Sequence, residues 1–149
     1  MGNLIGTSTA EINAPLDEVW TVVEDIEIAP EWQGGLNSLV PLDRDDQGRG
    51  TRCEVGADIK VKTIKTIVRF TYDGPTRLSW TQEKGDLKSV DGSWELEDLG
   101  DGRTRATYRV EVDFGRMLGA MVRGPIESAI RQMLAGARAG ELKTKIEGA

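Results

Sequence analysis

The sequence predicts an α+β domain in which a curved, seven-stranded antiparallel sheet wraps a long C-terminal helix, with two short helices between strands 1 and 2. Three observations predict it. Five turn signals cut residues 36–114 into short segments. In the last of these, Ala106, Tyr108, Val110, Val112 and Phe114 alternate with Thr107, Arg109, Glu111 and Asp113, as in a strand buried on one face only. Residues 117–146 then return apolar side chains at helical spacing.

The elements follow in order. Residues 5–13 alternate loosely, with Ser8, Ala10 and Ile12 on one face and Thr7, Thr9 and Glu11 on the other, giving strand 1. Pro15 suits a first helical turn, Asp17 and Glu18 lie where the helix dipole favours anions, and Leu16, Val19, Trp20 and Val23 form an apolar stripe ending near Glu24. Residues 26–35, with Pro30, Trp32 and the Gly34-Gly35 pair, read as a second helical turn stopped by the glycines. Turns are expected at residues 45–48, 56–58, 73–75, 85–86 and 100–102. Ile64, Val68, Phe70 and Tyr72 share a face, as do Leu78, Trp80 and Gln82, and then Trp94 and Leu96. Ile59 and Val61 are odd-numbered where Ile64 to Tyr72 are even, a phase slip that predicts a bulge near Lys62 or Thr63. The final helix is expected to run about 30 residues, kinked or broken at Gly124-Pro125, because proline removes a backbone bond and clashes with the preceding turn.

Composition narrows the function classes. A chain of 149 residues fits one domain, 1–149, large enough to bury about 70% of its unfolded surface. It has no histidine and one cysteine, Cys53, which leaves no disulfide, none of the usual zinc or haem ligand sets and no Ser-His-Asp or Cys-His nucleophile. No metal and no cofactor are expected. A net charge of −6 disfavours nucleic acid. Residues 116–147 carry six Lys and Arg against three Glu, net +3, which leaves −9 elsewhere, so the basic helix is expected to pair with the acidic remainder. No 18-residue apolar run and no secretory signal pattern is present, so a cytoplasmic protein without a membrane segment is expected. Interleaved glutamates and the lack of Trp or Phe on the helix argue against peripheral membrane contact. The oligomeric state, monomer or weak dimer, stays open.

Ala14-Pro15 followed by Val19-Trp20, then Pro30-Glu31-Trp32, then Gly92-Ser93-Trp94-Glu95-Leu96, set in this element order, resembles the START-related, birch-pollen-allergen-like superfamily (SRPBCC). Within it the chain is most similar to the bacterial polyketide cyclase/dehydrase and lipid-transport group. The resemblance spans essentially the whole chain and implies the helix-grip fold. It does not fix the function, because that fold hosts carriers, cyclases, receptors and assembly factors.

A sheet bent around a helix leaves volume in its concavity, and the alternation says which side chains face it. Those expected from the loops and strands are Trp32, Cys53, Val55, Val68, Phe70, Trp80, Gln82, Trp94 and Tyr108. Those expected from the helix are Met117, Met121, Ile126, Ile130 and Met133, where thioethers would give an adaptable wall. Arg69 falls on the face opposite Val68 and Phe70 and is expected to reach solvent, and Lys60, Lys62 and Lys65 read as a solvated strand edge. The reading is a binder or carrier of a small hydrophobic, lipid-like or polycyclic ligand, without catalysis. One alternative is a polyketide cyclase, aromatase or dehydratase acting on a poly-β-keto intermediate, with Tyr108, Tyr72 and Gln82 as its polar groups. Another is a protein-binding adaptor with a filled core.

Overall fold

A computed structural model describes residues 4–60 and 62–148. Strand β1 (Leu4–Ile12) leads into α1 (Leu16–Glu24), a 3₁₀ turn (Ile26–Ile28) and α2 (Ala29–Trp32). Six strands follow: β2 (Leu36–Arg44), β3 (Gly50–Asp58), β4 (Thr63–Asp73), β5 (Arg77–Gly85), β6 (Ser89–Gly100) and β7 (Arg103–Asp113). All neighbours are antiparallel and the order is β1-β7-β6-β5-β4-β3-β2, so only β1 lies away from its sequence neighbour. The C-terminal part comprises α3 (Gly115–Met121), α4 (Pro125–Arg131), a π-helical turn (Gln132–Gly136) and α5 (Arg138–Glu147). This is the helix-grip fold.

One face of the sheet is apolar because register keeps its parity. Tyr108 pairs with Ser8 and Trp94, Trp94 with Leu78, and Phe70 with Trp80, so even-numbered residues of β4 to β7 and β1 share the concave side. Across the β3–β4 hairpin Cys53 pairs with Val68 and Ala57 with Ile64, which moves β3 to odd numbers. The expected phase slip is therefore the hairpin itself. No bulge forms at Lys62 or Thr63: Asp58 pairs with Thr63, Ile59 N–H donates to Lys62 C=O at 3.0 Å, and Lys60 turns the chain at φ 79°. Val61 lies outside the described residues. The turn expected at residues 56–58 is likewise displaced, and Gly56 sits inside β3, where an added Cβ would lie 2.7 Å from Ser38 Oγ. A register shift occurs instead opposite Ile67 and Val68, which pair with Lys84 and Gln82 and leave Glu83 as the extra residue of β5.

The C-terminal helix is interrupted more than the sequence suggests. At φ 79° and ψ −149°, Gly124 breaks the chain outright between α3 and α4. Ala137 N–H then reaches the Gln132 carbonyl at 3.0 Å, a five-residue step that sets the π-turn. At this turn the helix meets β1 closely, since a Cβ on Gly6 would stand 2.4 Å from that of Ala135. Ala139 N–H donates to Ser8 Oγ at 3.0 Å, Lys143 Nζ to the Glu11 carbonyl, and Asn13 N–H to Glu147. Among the described residues the basic helix makes no ion pair with the acidic remainder, contrary to expectation. Arg131, Arg138 and Lys143 make their ion pairs with Glu127, Glu141 and Glu147, three or four residues away, the spacing at which helical side chains are neighbours.

Candidate functional site

Because the helix lies down on β1, the concave face beneath β3 to β6 is left partly uncovered. There a cavity of about 140 Å³ remains. Its walls are Ile64, Val68, Phe70, Leu78, Trp80 and Trp94 from the sheet, Tyr108, Val110 and Val112 from β7, Trp32 from α2, and Leu134 and Arg138 from the helix. Aromatic rings run along it in sequence: Phe70 and Trp80 centroids are 5.9 Å apart, Trp80 and Tyr108 5.6 Å, Tyr108 and Trp94 4.9 Å, Trp94 and Trp32 6.3 Å. Trp80 can lie flat because its strand neighbour is Gly92, where an added Cβ would fall 2.4 Å from the indole.

Of the residues the alternation nominated, Trp32, Val55, Val68, Phe70, Trp80, Trp94 and Tyr108 line this cavity. The others do not. Cys53 is fully buried in the core, where burial and then the nearby Glu27 carboxylate push its thiol up to about 11. Gln82 is half-buried and turns its amide to the Leu87 carbonyl at 2.8 Å, leaving the cavity wall to Leu87. Ile130 is fully buried, and Ile126 and Met133 pack against the core outside the cavity, because α4 and the π-turn seat against β1. Met117 and Met121 are 81% and 51% exposed, so they form no wall. The Gly124 break is the reason: helical phase does not carry across it, and α3 buries Leu118 instead. Arg69 is exposed and pairs with Glu83 at 3.2 Å on the convex face. Lys60, Lys62 and Lys65 are exposed.

The alternation missed Arg138, which is 4% exposed and, among the described residues, the only charged side chain in the cavity wall. The π-turn explains both its placement and its support. Arg138 Nη2 donates to the Met133 and Leu134 carbonyls at 3.3 and 3.5 Å, within the widened turn, and Nη1 donates to the Gly34 carbonyl and to Glu141 at 3.1 and 2.6 Å. Glu141 in turn accepts the Gly34 N–H at 2.9 Å, so the Arg138–Glu141 pair is locked onto the loop after α2. The guanidinium carbon sits 5.6 Å from the Tyr108 ring centroid, within cation–π range. Burial pushes the Tyr108 hydroxyl pKa up, opposed by the Arg138 charge. A signal for Arg138 was present: Ile130, Leu134, Arg138 and Leu142 recur every four residues, an apolar row with one polar member.

The profile of a family described as polyketide cyclase/dehydrase and lipid transport matches residues 12–138. The chain belongs to that family. Three solved structures place the fold alongside it. A START superfamily protein from Mycobacterium smegmatis superposes with a TM-score of 0.82 at 19% identity, covering 99% of each chain. A protein from Thermus thermophilus gives 0.80 at 17%, over 97% of this chain and 98% of the other. The Zhui aromatase/cyclase from Streptomyces sp. R1128 gives 0.79 at 15%, over 97% and 94%. At such identities the likeness establishes the helix-grip fold of this polyketide cyclase/dehydrase and lipid transport family member. No curated protein matches the chain. Among the described residues no group of His, Cys, Asp and Glu is placed to hold a metal, and no helix is long and apolar enough to cross a membrane.

Proposed function

We propose that this protein binds a small hydrophobic molecule in the cavity between sheet and helix and holds it without transforming it. The observation that carries this is the wall itself. Among the described residues its lining is apolar but for Gln33, Thr66, the Tyr108 phenol, whose pKa burial raises, and one charged side chain, Arg138, which is paired with Glu141. The volume suits a single ring or a short branched chain, since an apolar cavity of about 150 Å³ takes up benzene.

Native mass spectrometry of freshly purified protein, with calorimetric titration against single-ring and short-chain hydrophobes, tests the reading. Saturable binding abolished by Leu134→Phe, which projects a ring into the cavity, is the expected result. Neither a retained molecule nor saturable binding of any member would overturn it.

A cyclase or dehydratase reading draws on the family description, on the fold shared with the Zhui aromatase/cyclase, and on a tyrosine, Tyr108, whose ring faces Arg138 at the cavity wall. Turnover of a poly-β-keto thioester, lost in Tyr108→Phe, would favour it. Tyr72 is spoken for, since its hydroxyl donates to the Gly50 carbonyl at 2.6 Å. The adaptor reading expects a filled core, and the cavity weighs against it.

A further inference from the structure

Two buried N–H groups at the α2 end of the cavity lack a protein acceptor among the described residues: Trp32 Nε1 and Arg138 Nε. Both residues line the cavity. Arg138 has five N–H donors, of which the four on its two terminal nitrogens face the Gly34, Met133 and Leu134 carbonyls and Glu141. The fifth is left over. The two residues belong to one cluster: Arg138 bonds to Gly34, two residues beyond Trp32, and stacks on Tyr108, while Tyr108 touches Trp94 and Trp94 touches Trp32. A buried donor without an acceptor costs about 1–3 kcal/mol, a cost that an acceptor carried by the ligand would relieve at both groups.

We infer that the ligand carries an uncharged carbonyl oxygen, received by Trp32 Nε1–H and Arg138 Nε–H, with its hydrocarbon part lying against Trp80, Phe70 and Val68. This rests on the cavity being the binding site and goes further by naming the ligand's polar group. A carbonyl oxygen has two lone pairs for the two donors. A carboxylate fits less well. Glu141, at 2.6 Å, already neutralises Arg138, so a bound carboxylate would bury a net negative charge among apolar walls. An aliphatic hydrocarbon would leave both donors unmet.

The test compares acetophenone with α-methylstyrene, which has the same frame with CH₂ in place of oxygen, and with benzoate, using the full chain. The expected result has two parts: acetophenone binds more tightly than benzoate, and its affinity relative to α-methylstyrene, which controls for the lost ring contacts, falls about five- to tenfold in Trp32→Phe. In ¹⁵N-labelled wild-type protein, acetophenone and not α-methylstyrene should shift one of the four indole N–H resonances downfield, a readout that needs no variant. Saturable binding of both neutral compounds with a ratio indifferent to Trp32→Phe and no indole shift would overturn the carbonyl assignment while leaving the cavity reading standing. Benzoate binding most tightly would overturn the requirement for an uncharged ligand. Saturable binding of none of the three would remove the cavity reading and this inference with it.

Discussion

The indole of Trp80 lies directly over Gly92, its cross-strand partner, so closely that a methyl at that position would sit 2.4 Å from the ring. The glycine thus sets the position of one cavity wall. Gly92→Ala should push the indole toward Tyr108, 5.6 Å away, and destabilise the protein by about 1–3 kcal/mol. Gly140→Ala, in α5 with open space around it, should instead stabilise by about 0.5–1 kcal/mol. Urea unfolding followed by tryptophan fluorescence measures both. Equal effects of the two substitutions would refute the close approach.

The same logic applies where helix meets sheet. Gly6→Ala should cost about 1–3 kcal/mol, because its methyl would meet Ala135 at the π-turn. Moving that methyl across the interface, in Gly6→Ala with Ala135→Gly, should recover part of the loss and give a coupling of about 0.5 kcal/mol or more in a double-mutant cycle. Strict additivity would mean the two residues do not touch.

Filling the cavity should separate stability from binding. Leu134→Phe is expected to raise the unfolding free energy of the ligand-free protein by about 1 kcal/mol, since the ring occupies volume that is otherwise unpacked. A destabilised variant would mean the site is too rigid or too small to accept the ring.

Alkaline pH should weaken the fold through Cys53. Burial raises its thiol from about 9 to about 11, so the unfolded chain ionises first, and stability present below pH 9 is lost as pH climbs toward 11. Tyr72, raised by desolvation, adds in the same direction at higher pH. Unfolding at pH 7.5 and pH 10.5 should show a smaller drop for Cys53→Ala than for wild type, and the native thiol should resist Ellman's reagent at pH 8. Rapid native labelling would contradict the burial.

Acid acts through other groups and with the opposite sign. Lys143 and then the Asn13 amide hold Glu147 below its usual range, and Arg52 does the same for Glu83. Stability carried by these exposed pairs is present above the ordinary carboxylate range and fades as pH falls below it. Added salt should shrink the effect. A Glu147→Gln variant as acid-sensitive as wild type would argue against the contribution of that pair.

Alternation determined which face of each strand is apolar, and the sequence alone therefore placed Trp80, Trp94 and Tyr108 together on the concave side. Pro125 after Gly124 likewise announced the helix break. These are local consequences of side-chain period and backbone stereochemistry, readable without knowing what lies opposite. Where the cavity sits was decided by contacts between distant segments. Gly6 against Ala135 draws the helix onto β1, which removes Ile126, Ile130 and Met133 from the cavity wall, and the Gly124 break turns Met117 and Met121 to solvent. The π-turn gives Arg138 its carbonyl partners, and Gly34 and Glu141, far from each other in sequence, hold it. Hydrophobic period can mark a buried row, but only the tertiary structure supplies the hydrogen-bond acceptors that let a charged residue occupy one, and only it reveals which donors are left for a ligand.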